Sequence, residues 1–287
     1  MPVATNLFRA AAVAVALFSG VTHAESIDSE HIFGFMIGSD VGDVGEREFQ
    51  TQTTGRLDRG GGRYHAGEQE FELELVPVEN FRIELGTAFA GHDIGGVAGL
   101  DDRRQLSWKG ASLDLRYRFL ARETAPFGMT FAVQNETSRI DDISGAGARQ
   151  YGATFTLAFD REIVPDLAIA ALNLSYQPEW TRFSGSAETE RDATIGAAFA
   201  LMAQFRPGIL LGSEARYFRQ YDGFGLNTLS GQALFIGPTA YFQLSERSRL
   251  TVSWSTQAWG RVSGLPAGLD LANFEHHQAR LVFGVNF

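Results

Sequence analysis

The chain ends in Leu281-Val282-Phe283-Gly284-Val285-Asn286-Phe287, and the order of side chains in this stretch decides the fold. Its odd-numbered positions are all apolar, whereas Asn286 and, further upstream, Arg280 and Gln278 fall on the even-numbered side. Successive side chains of a β-strand point to opposite faces. The stretch is therefore predicted to be a strand with one apolar face and one mostly polar face.

The same alternation recurs along most of the chain. It is clearest in residues 69–75, 111–119, 150–160, 167–182, 191–206 and 248–262. A soluble β-sandwich also alternates, but its strands average about 5–6 residues. The strands predicted here run roughly 10 to 15 residues, and a tilted membrane strand needs about 9–11. The length therefore favours strands that cross a membrane.

Short and long connections alternate between these strands. The short ones lie at 77–80, 121–126, 164–166, 207–208 and 245–248, and the long, polar ones lie near 58–64, 93–105, 140–149, 184–191, 222–230 and 263–275. Such alternation is typical of the periplasmic turns and extracellular loops of outer-membrane barrels. The fold class is therefore predicted as all-β: an antiparallel transmembrane β-barrel with short periplasmic turns and longer extracellular loops.

We count about twelve strands in this barrel. They are placed near 46–57, 65–76, 81–92, 106–120, 127–139, 150–162, 167–183, 191–206, 209–221, 231–244, 248–262 and 276–287. An even number puts both chain ends in the periplasm. Pro238 falls inside a predicted strand, where it cannot donate a ladder hydrogen bond, so we expect either a bulge there or a later strand start.

The first 24 residues read as a signal peptide. Arg9 precedes an apolar stretch from Ala10 to Val21, and Thr22-His23-Ala24 offers small residues for cleavage before Glu25. The alternative, a membrane-anchoring helix, is disfavoured because the apolar stretch is too short to span a bilayer. The predicted divisions are 1–24 signal peptide, 25–45 periplasmic or barrel-base segment, and 46–287 barrel.

Residues 31–39 leave a choice within the second division. They form either an extra strand or a segment tucked at the base of the barrel. A thirteenth strand would break the even count that single-chain bacterial barrels show. We therefore favour the tucked or periplasmic segment.

Composition limits the possible functions. The formal charge is −10, and nucleic-acid binding requires a basic surface, so no nucleic-acid partner is expected. The chain has no cysteine, which excludes disulfides, cysteine-ligated metals and thiol nucleophiles. Lys109 is the only lysine, so almost every cation is an arginine.

Two stretches resemble known outer-membrane barrels. The terminal run resembles the C-terminal signal that the barrel-assembly machinery reads, with Phe283, Val285 and Phe287 as its apolar positions. The stretch 38–48 is similar to the beginning of the first strand in an uncharacterised, porin-like group of bacterial outer-membrane barrels, although Val44 stands where a lysine is common. The resemblance implies outer-membrane lipid, periplasmic chaperones and the assembly machinery as partners. It implies no activity and no site residues.

The inward face of the barrel is the candidate site. Its predicted charged residues are Glu70, Glu72, Glu74, Arg82, Glu84, Asp114, Arg116, Arg118, Glu136, Asp160, Glu179, Glu214, Arg216 and Arg280. Both signs are present, so one interpretation is a self-compensating interior in which arginines bridge carboxylates. The other is a selectivity surface for a small polar solute. The three glutamates 70, 72 and 74 share one strand face, and Arg82 on the next strand is placed to contact them.

Metal binding and catalysis are not predicted. His276 and His277 are expected to face opposite sides of the last strand, which disfavours a shared metal ion. A hydrolytic triad requires a serine hydrogen-bonded to a histidine. None of the histidines in the predicted strands, His65, His92, His276 and His277, has a serine two or four residues away on its own strand face, and His31 lies outside the predicted strands. We therefore assign no catalytic residue, cofactor or metal.

The sequence favours an outer-membrane barrel that acts as a narrow porin or channel for small polar solutes. A barrel of twelve strands is expected to have a narrow lumen. Because the inward face carries charges of both signs and the loops are too short to form a separate plug, the lumen is expected to be water-filled or partly plugged. The alternatives are a structural or adhesive barrel without a conducting pore, and an outer-membrane lipid hydrolase. Neither the solute nor the oligomeric state follows from the sequence.

Overall fold

The computed structural model describes residues 27–287, so the predicted signal peptide lies outside the described residues. Twelve antiparallel strands form one closed barrel, in which every strand pairs with its neighbours in the chain and the first pairs with the last. The strands are β1 Arg47–Leu57, β2 Arg63–Val78, β3 Phe81–Gly95, β4 Arg103–Leu120, β5 Gly128–Ile140, β6 Gly147–Val164, β7 Ala168–Phe183, β8 Glu190–Arg206, β9 Ile209–Asp222, β10 Thr228–Ser245, β11 Ser248–Val262 and β12 His277–Asn286. The predicted fold class and strand number are confirmed.

The terminal stretch closes the barrel. In the ladder between β1 and β12, Glu48 lies opposite Asn286 and Leu57 lies opposite His277. The backbone N–H of Phe287 donates to the carbonyl oxygen of Arg47 over 3.0 Å. A barrel has no free sheet edge, and this last pairing removes the edge that β1 would otherwise expose.

The two ends of the barrel differ as predicted. One end carries the start of β1, the C-terminal residue Phe287 and tight turns such as 79–80 and 207–208, where Asn80 and Gly208 have φ of 63° and 76°. We call it the periplasmic end. The other end carries the longer links, of which 263–276 is an example. Several long links are shorter than predicted: β4, β6 and β10 begin at 103, 147 and 228, because polar residues there extend the ladder beyond the apolar band.

An apolar belt covers the outside of the barrel. Large apolar side chains point outward and stay exposed, including Leu85, Leu106, Phe155, Phe199 and Trp254, and Leu106 is 77% exposed. A contiguous exposed apolar surface of this kind is costly in water and suits contact with lipid. Within residues 27–287, no helix is long and apolar enough to span a membrane.

Pro238 does not form the expected bulge. Residues 237 and 238 are skipped in the pairing of β10 with β11, but Ile236 pairs with Thr256 and Thr239 with Ser253 in unchanged register. The register shift on this side lies between Leu234 and Phe235 instead. The missing N–H of Pro238 therefore leaves only a short gap in the pairing of β10 with β11. On its other side, β10 stays paired with β9 through Pro238.

Residues 27–42 lie inside the barrel, and we call them the inner segment, while the exposed residues 43–45 lead from it to β1. The segment doubles back on itself: Asp40 accepts hydrogen bonds from the backbone N–H and the hydroxyl of Ser29, over 2.9 and 3.1 Å. Gly38 makes this close approach possible, because a Cβ at that position would lie 1.9 Å from the Ser29 carbonyl oxygen.

One side of the inner segment is apolar. Ile32, Phe33 and Met36 are buried in a cluster with wall residues of β7 and β8 such as Ile169 and Met202. The wall is smooth there because small alanines face inward on β7 and β8. Burial of these side chains supplies apolar contact between the segment and the wall.

Candidate functional site

The structure places all fourteen predicted inward charges on the lumen side. Nine line a central cavity of about 450 Å³: Glu70, Glu72, Arg82, Glu84, Asp114, Arg116, Glu136, Arg216 and Arg280. Glu179 lines an outer cavity of about 830 Å³ toward the extracellular end. The remaining four, Glu74, Arg118, Asp160 and Glu214, contact the inner segment. The lumen is thus divided into a filled periplasmic part and open space above it.

Wall side chains hold the backbone at the middle of the inner segment. The N–H groups of Gly34 and Phe35 donate to the Glu214 carboxylate over 2.7 and 3.0 Å. The Asn173 amide accepts from the N–H of Ile37 and donates to its carbonyl, both at 2.9 Å. Buried backbone polar groups need such partners. Here the wall supplies them without forming a thirteenth strand.

The corner of the segment at Ser39 is fixed by a buried carboxylate. Asp160 accepts hydrogen bonds from the Ser39 N–H at 2.6 Å and hydroxyl at 2.7 Å. Arg122 donates to the same carboxylate at 3.0 Å and also pairs with Asp40. Arg118 reaches Asp40 at 3.4 Å. Charge-assisted bonds of this kind are about twice as strong as neutral ones.

Phe35 borders the open part of the lumen. The Arg216 guanidinium lies 3.9 Å from the centre of its ring, and the Arg280 guanidinium lies 4.8 Å away. A cation over an aromatic face contributes about 0.5–2 kcal/mol. The ring is therefore held between two arginines at the floor of the central cavity.

Charged residues surround the other side of the inner segment. Arg82 contacts Glu30 of the segment at 2.5 Å, and it also contacts Glu74 and Glu84 of the wall at 3.1 Å each. The predicted contact between Arg82 and the three glutamates 70, 72 and 74 therefore occurs at Glu74. On the far side, Arg249 donates its Nε to Glu48 over 3.0 Å.

Neighbouring His31 is largely buried, with 11% of its side chain exposed. Burial lowers the pKa of the His31 ring well below its ordinary value, and Arg249, Arg82 and Arg116 lower it further. The backbone carbonyl of His31 accepts a hydrogen bond from Thr251, which fixes the residue against β11. A neutral imidazole keeps a lone pair that can accept a proton or bind a metal ion.

Lys109 is an inward residue that sequence reasoning missed. Its ammonium contacts Glu136 at 2.6 Å, Glu68 at 3.0 Å and Asp142 at 3.1 Å, and the residue is only 2% exposed. Strict alternation from Ala111 would turn Lys109 toward lipid. A register shift between β3 and β4 at this level turns Lys109 inward and Trp108 outward.

The extracellular link between β11 and β12 also enters the lumen. Phe274 packs against Phe218 and Phe235 of the wall, with ring centres 6.4 and 6.3 Å apart. Buried Asp270 accepts a hydrogen bond from the N–H of Gln232. The expectation that the links are too short to form a plug is therefore only half right: this link narrows the mouth, and the inner segment fills the base.

His276 and His277 do not face opposite sides as expected. His276 precedes β12, so the alternation rule does not apply to it, and the two rings lie 3.9 Å apart. Asp58 joins them within ligand distance at the extracellular end. The hydroxyl of Thr256 lies 3.0 Å from Nδ1 of His277. A hydroxyl and an imidazole therefore meet across two strands.

Comparison with known proteins places the fold. A family model described as "Family of unknown function (DUF6662)" matches residues 25–287. No curated protein sequence matches the chain. The chain is similar to the COG4313 outer membrane channel from Pseudomonas putida F1, with 11% identity, coverage of 91% of this chain and 100% of that one, and a TM-score of 0.57.

Two further solved structures are also similar. The translocator domain of autotransporter NalP from Neisseria meningitidis shares 17% identity, with 86% and 90% coverage and a TM-score of 0.49. The NanC porin shares 9% identity, with 83% and 98% coverage and a TM-score of 0.48. The likeness to the Pseudomonas channel identifies the fold as that of an outer-membrane barrel, and the exposed apolar belt suits contact with lipid.

Proposed function

We propose that this chain, which belongs to the Family of unknown function (DUF6662), forms a narrow outer-membrane channel for small polar solutes that the inner segment closes from the periplasmic side. The observation that carries the proposal is how the segment is held. Between residues 27 and 44, its hydrogen bonds to the wall involve a side chain in every case, such as Glu214, Asn173 or Asp160. The segment can therefore leave while the ladder of the barrel stays intact.

The lining supports a polar solute of no single charge. Acidic and basic side chains face the central cavity together, for example Glu70 and Glu136 with Arg216 and Arg280. Rings of one sign favour ions of the opposite sign. A mixed lining instead suits neutral or zwitterionic molecules that donate and accept hydrogen bonds. The cavity of about 450 Å³ limits the solute to a small molecule. This proposal assigns no catalytic residue.

Solute uptake tests the proposal. Proteoliposomes containing the purified full-length mature chain should swell in small neutral sugars and zwitterionic amino acids, and more slowly in salts of large anions. A matched preparation with Asp160→Ala, which loosens the segment, should swell faster. If neither preparation swells faster than empty liposomes, the channel proposal fails and a structural or adhesive barrel is favoured.

A second candidate function is hydrolysis of outer-membrane lipid. It is favoured by the Thr256–His277 hydrogen bond, since a hydroxyl beside an imidazole is the arrangement of an activated nucleophile. The indole N–H of Trp254 donates to the same hydroxyl over 3.0 Å, which leaves the hydroxyl proton for His277. Release of fatty acid from phospholipid vesicles, lost in His277→Ala and kept in His65→Ala, would support it. No release by the wild-type chain would exclude it.

A further inference from the structure

We propose that His31 and Glu30 of the inner segment and Glu48 and Glu74 of the wall together bind one divalent transition-metal ion of the zinc type, which fastens the segment inside the barrel. The role of the ion in closing the channel rests on the proposed function. The binding site itself rests only on the geometry of these four side chains.

The side chains gather around His31. Glu30, His31 and Glu74 each offer a ligand atom, and these three atoms lie within 4.8 Å of one another. Nε2 of His31 lies 3.6 Å from Glu30 Oε2, 3.9 Å from Glu74 Oε1 and 3.8 Å from Glu48 Oε2. Ligands about 2.0–2.1 Å from a tetrahedral zinc ion lie about 3.3 Å from one another. The distances from His31 Nε2 therefore exceed the spacing of zinc ligands by only a few tenths of an ångström.

Unpaired atoms point into the same space. Nε2 of His31 and both carboxylate oxygens of Glu74 are buried and have no hydrogen-bond partner among residues 27–287. The Arg82 guanidinium touches Glu74 at 3.1 Å as an ion pair only. Buried polar atoms without partners are rare and costly. The Glu74 side chain is 2% exposed, so bulk water does not solvate it.

The local charge leaves room for a dication. Five buried carboxyl groups are in contact with the arginines here, and they outnumber the three guanidinium groups by two. The carboxylates are those of Glu30, Glu48, Glu74, Glu84 and Asp114, and the guanidinium groups are those of Arg82, Arg116 and Arg249. One divalent ion would neutralise this excess, and it would do so where burial makes an uncompensated charge costly.

The donor set selects the class of ion. Calcium and magnesium take oxygen ligands almost entirely. An imidazole nitrogen combined with carboxylate oxygens suits zinc and its transition-metal neighbours. The arginines that contact Glu30 and Glu48 would then act as partners that orient the ligating carboxylates.

A second histidine cluster could also bind the added metal ion, so the binding experiment must eliminate it. Asp58, His276 and His277 near the extracellular end also lie within ligand distance of one another, but this cluster is partly exposed. All measurements are therefore made in a His276→Ala/His277→Ala background. Zinc bound in that background cannot come from the extracellular cluster.

Binding of Zn²⁺ to the chelator-treated, detergent-purified chain is measured by calorimetry, and metal content is measured by mass spectrometry. We expect one Zn²⁺ per chain and no comparable binding of Ca²⁺. His31→Ala and Glu74→Gln should each weaken binding at least about tenfold. His65→Ala and Glu179→Gln, which keep the four side chains, should leave it unchanged. The proposed metal site would be wrong if the His276→Ala/His277→Ala chain does not bind one Zn²⁺ per chain. It would also be wrong if adding Glu74→Gln to that chain leaves Zn²⁺ binding unchanged.

The consequence for the channel is tested separately. Zn²⁺ should lower solute uptake into proteoliposomes, and a chelator should restore it, in the background chain but not in Glu74→Gln. Stoichiometric binding without any uptake would leave the metal site standing and remove the channel. Uptake without binding would leave the channel and remove the metal site.

Discussion

Replacing Asp160 by alanine should release the inner segment from the wall. The carboxylate is fully buried and serves the Ser39 N–H, the Ser39 hydroxyl and Arg122 at once. Removing one partner of a buried charged pair costs about 3–5 kcal/mol. Because each 1.4 kcal/mol is a factor of ten, the undocked population should rise roughly 10²- to 4 × 10³-fold.

A unique thiol makes this shift measurable. The chain has no cysteine, so Met36→Cys introduces the only thiol, at a position that is 7% exposed inside the segment's apolar cluster. A membrane-impermeant thiol reagent labels it only when the segment undocks. The labelling rate of Met36→Cys should therefore rise roughly 10²- to 4 × 10³-fold when Asp160→Ala is added.

Two controls separate release of the segment from loss of the barrel. Asp101→Ala changes an exposed aspartate in the link after β3 and should leave the labelling rate unchanged. The folded barrel should still migrate as a compact band in an unheated gel. Equal labelling rates with and without Asp160→Ala would refute the view that this carboxylate fastens the segment.

Three further predictions follow from the same contacts. Phe35→Ala removes the aromatic ring that contacts Arg216 and Arg280, a loss of about 1 kcal/mol. Channel openings in planar bilayers should therefore become about fivefold more frequent. An unchanged opening frequency would contradict this prediction. Lys109→Met leaves three carboxylates crowded without their cation and should lower the urea midpoint of unfolding, whereas Arg139→Met on an exposed position of β5 should not. Deleting Phe287 should lower the amount of barrel in the outer membrane before any effect on transport, and normal outer-membrane levels would count against an assembly role.

Much of the architecture could be predicted from the sequence, because a lipid-exposed barrel repeats one rule. Each strand needs an apolar residue at every second position, and the stretch ending at Phe287 shows that rule without interruption. The ends of the strands were less predictable. Polar residues can continue a ladder beyond the membrane, as at Arg103, and nothing in the alternation marks where they stop.

The candidate site was predictable only for residues inside regular strands. Lys109 was missed because a register shift reverses the alternation at that point, and His276 was misjudged because it lies just before the strand. The inner segment has no periodicity, since its backbone is held by wall side chains such as Glu214 rather than by a ladder. Its location inside the lumen depends on contacts between residues more than a hundred positions apart, which local patterns do not carry.

Single-channel conductance of a variant lacking residues 27–40 tests the central claim most directly. Residues 1–26 and all twelve strands remain in this variant, so its assembly can be checked by the compact gel band and by its level in the outer membrane. If the inner segment closes the channel, the variant should conduct with a stable open level several-fold above that of the full-length mature chain. A well-assembled variant with the same conductance as the full-length chain would contradict the account.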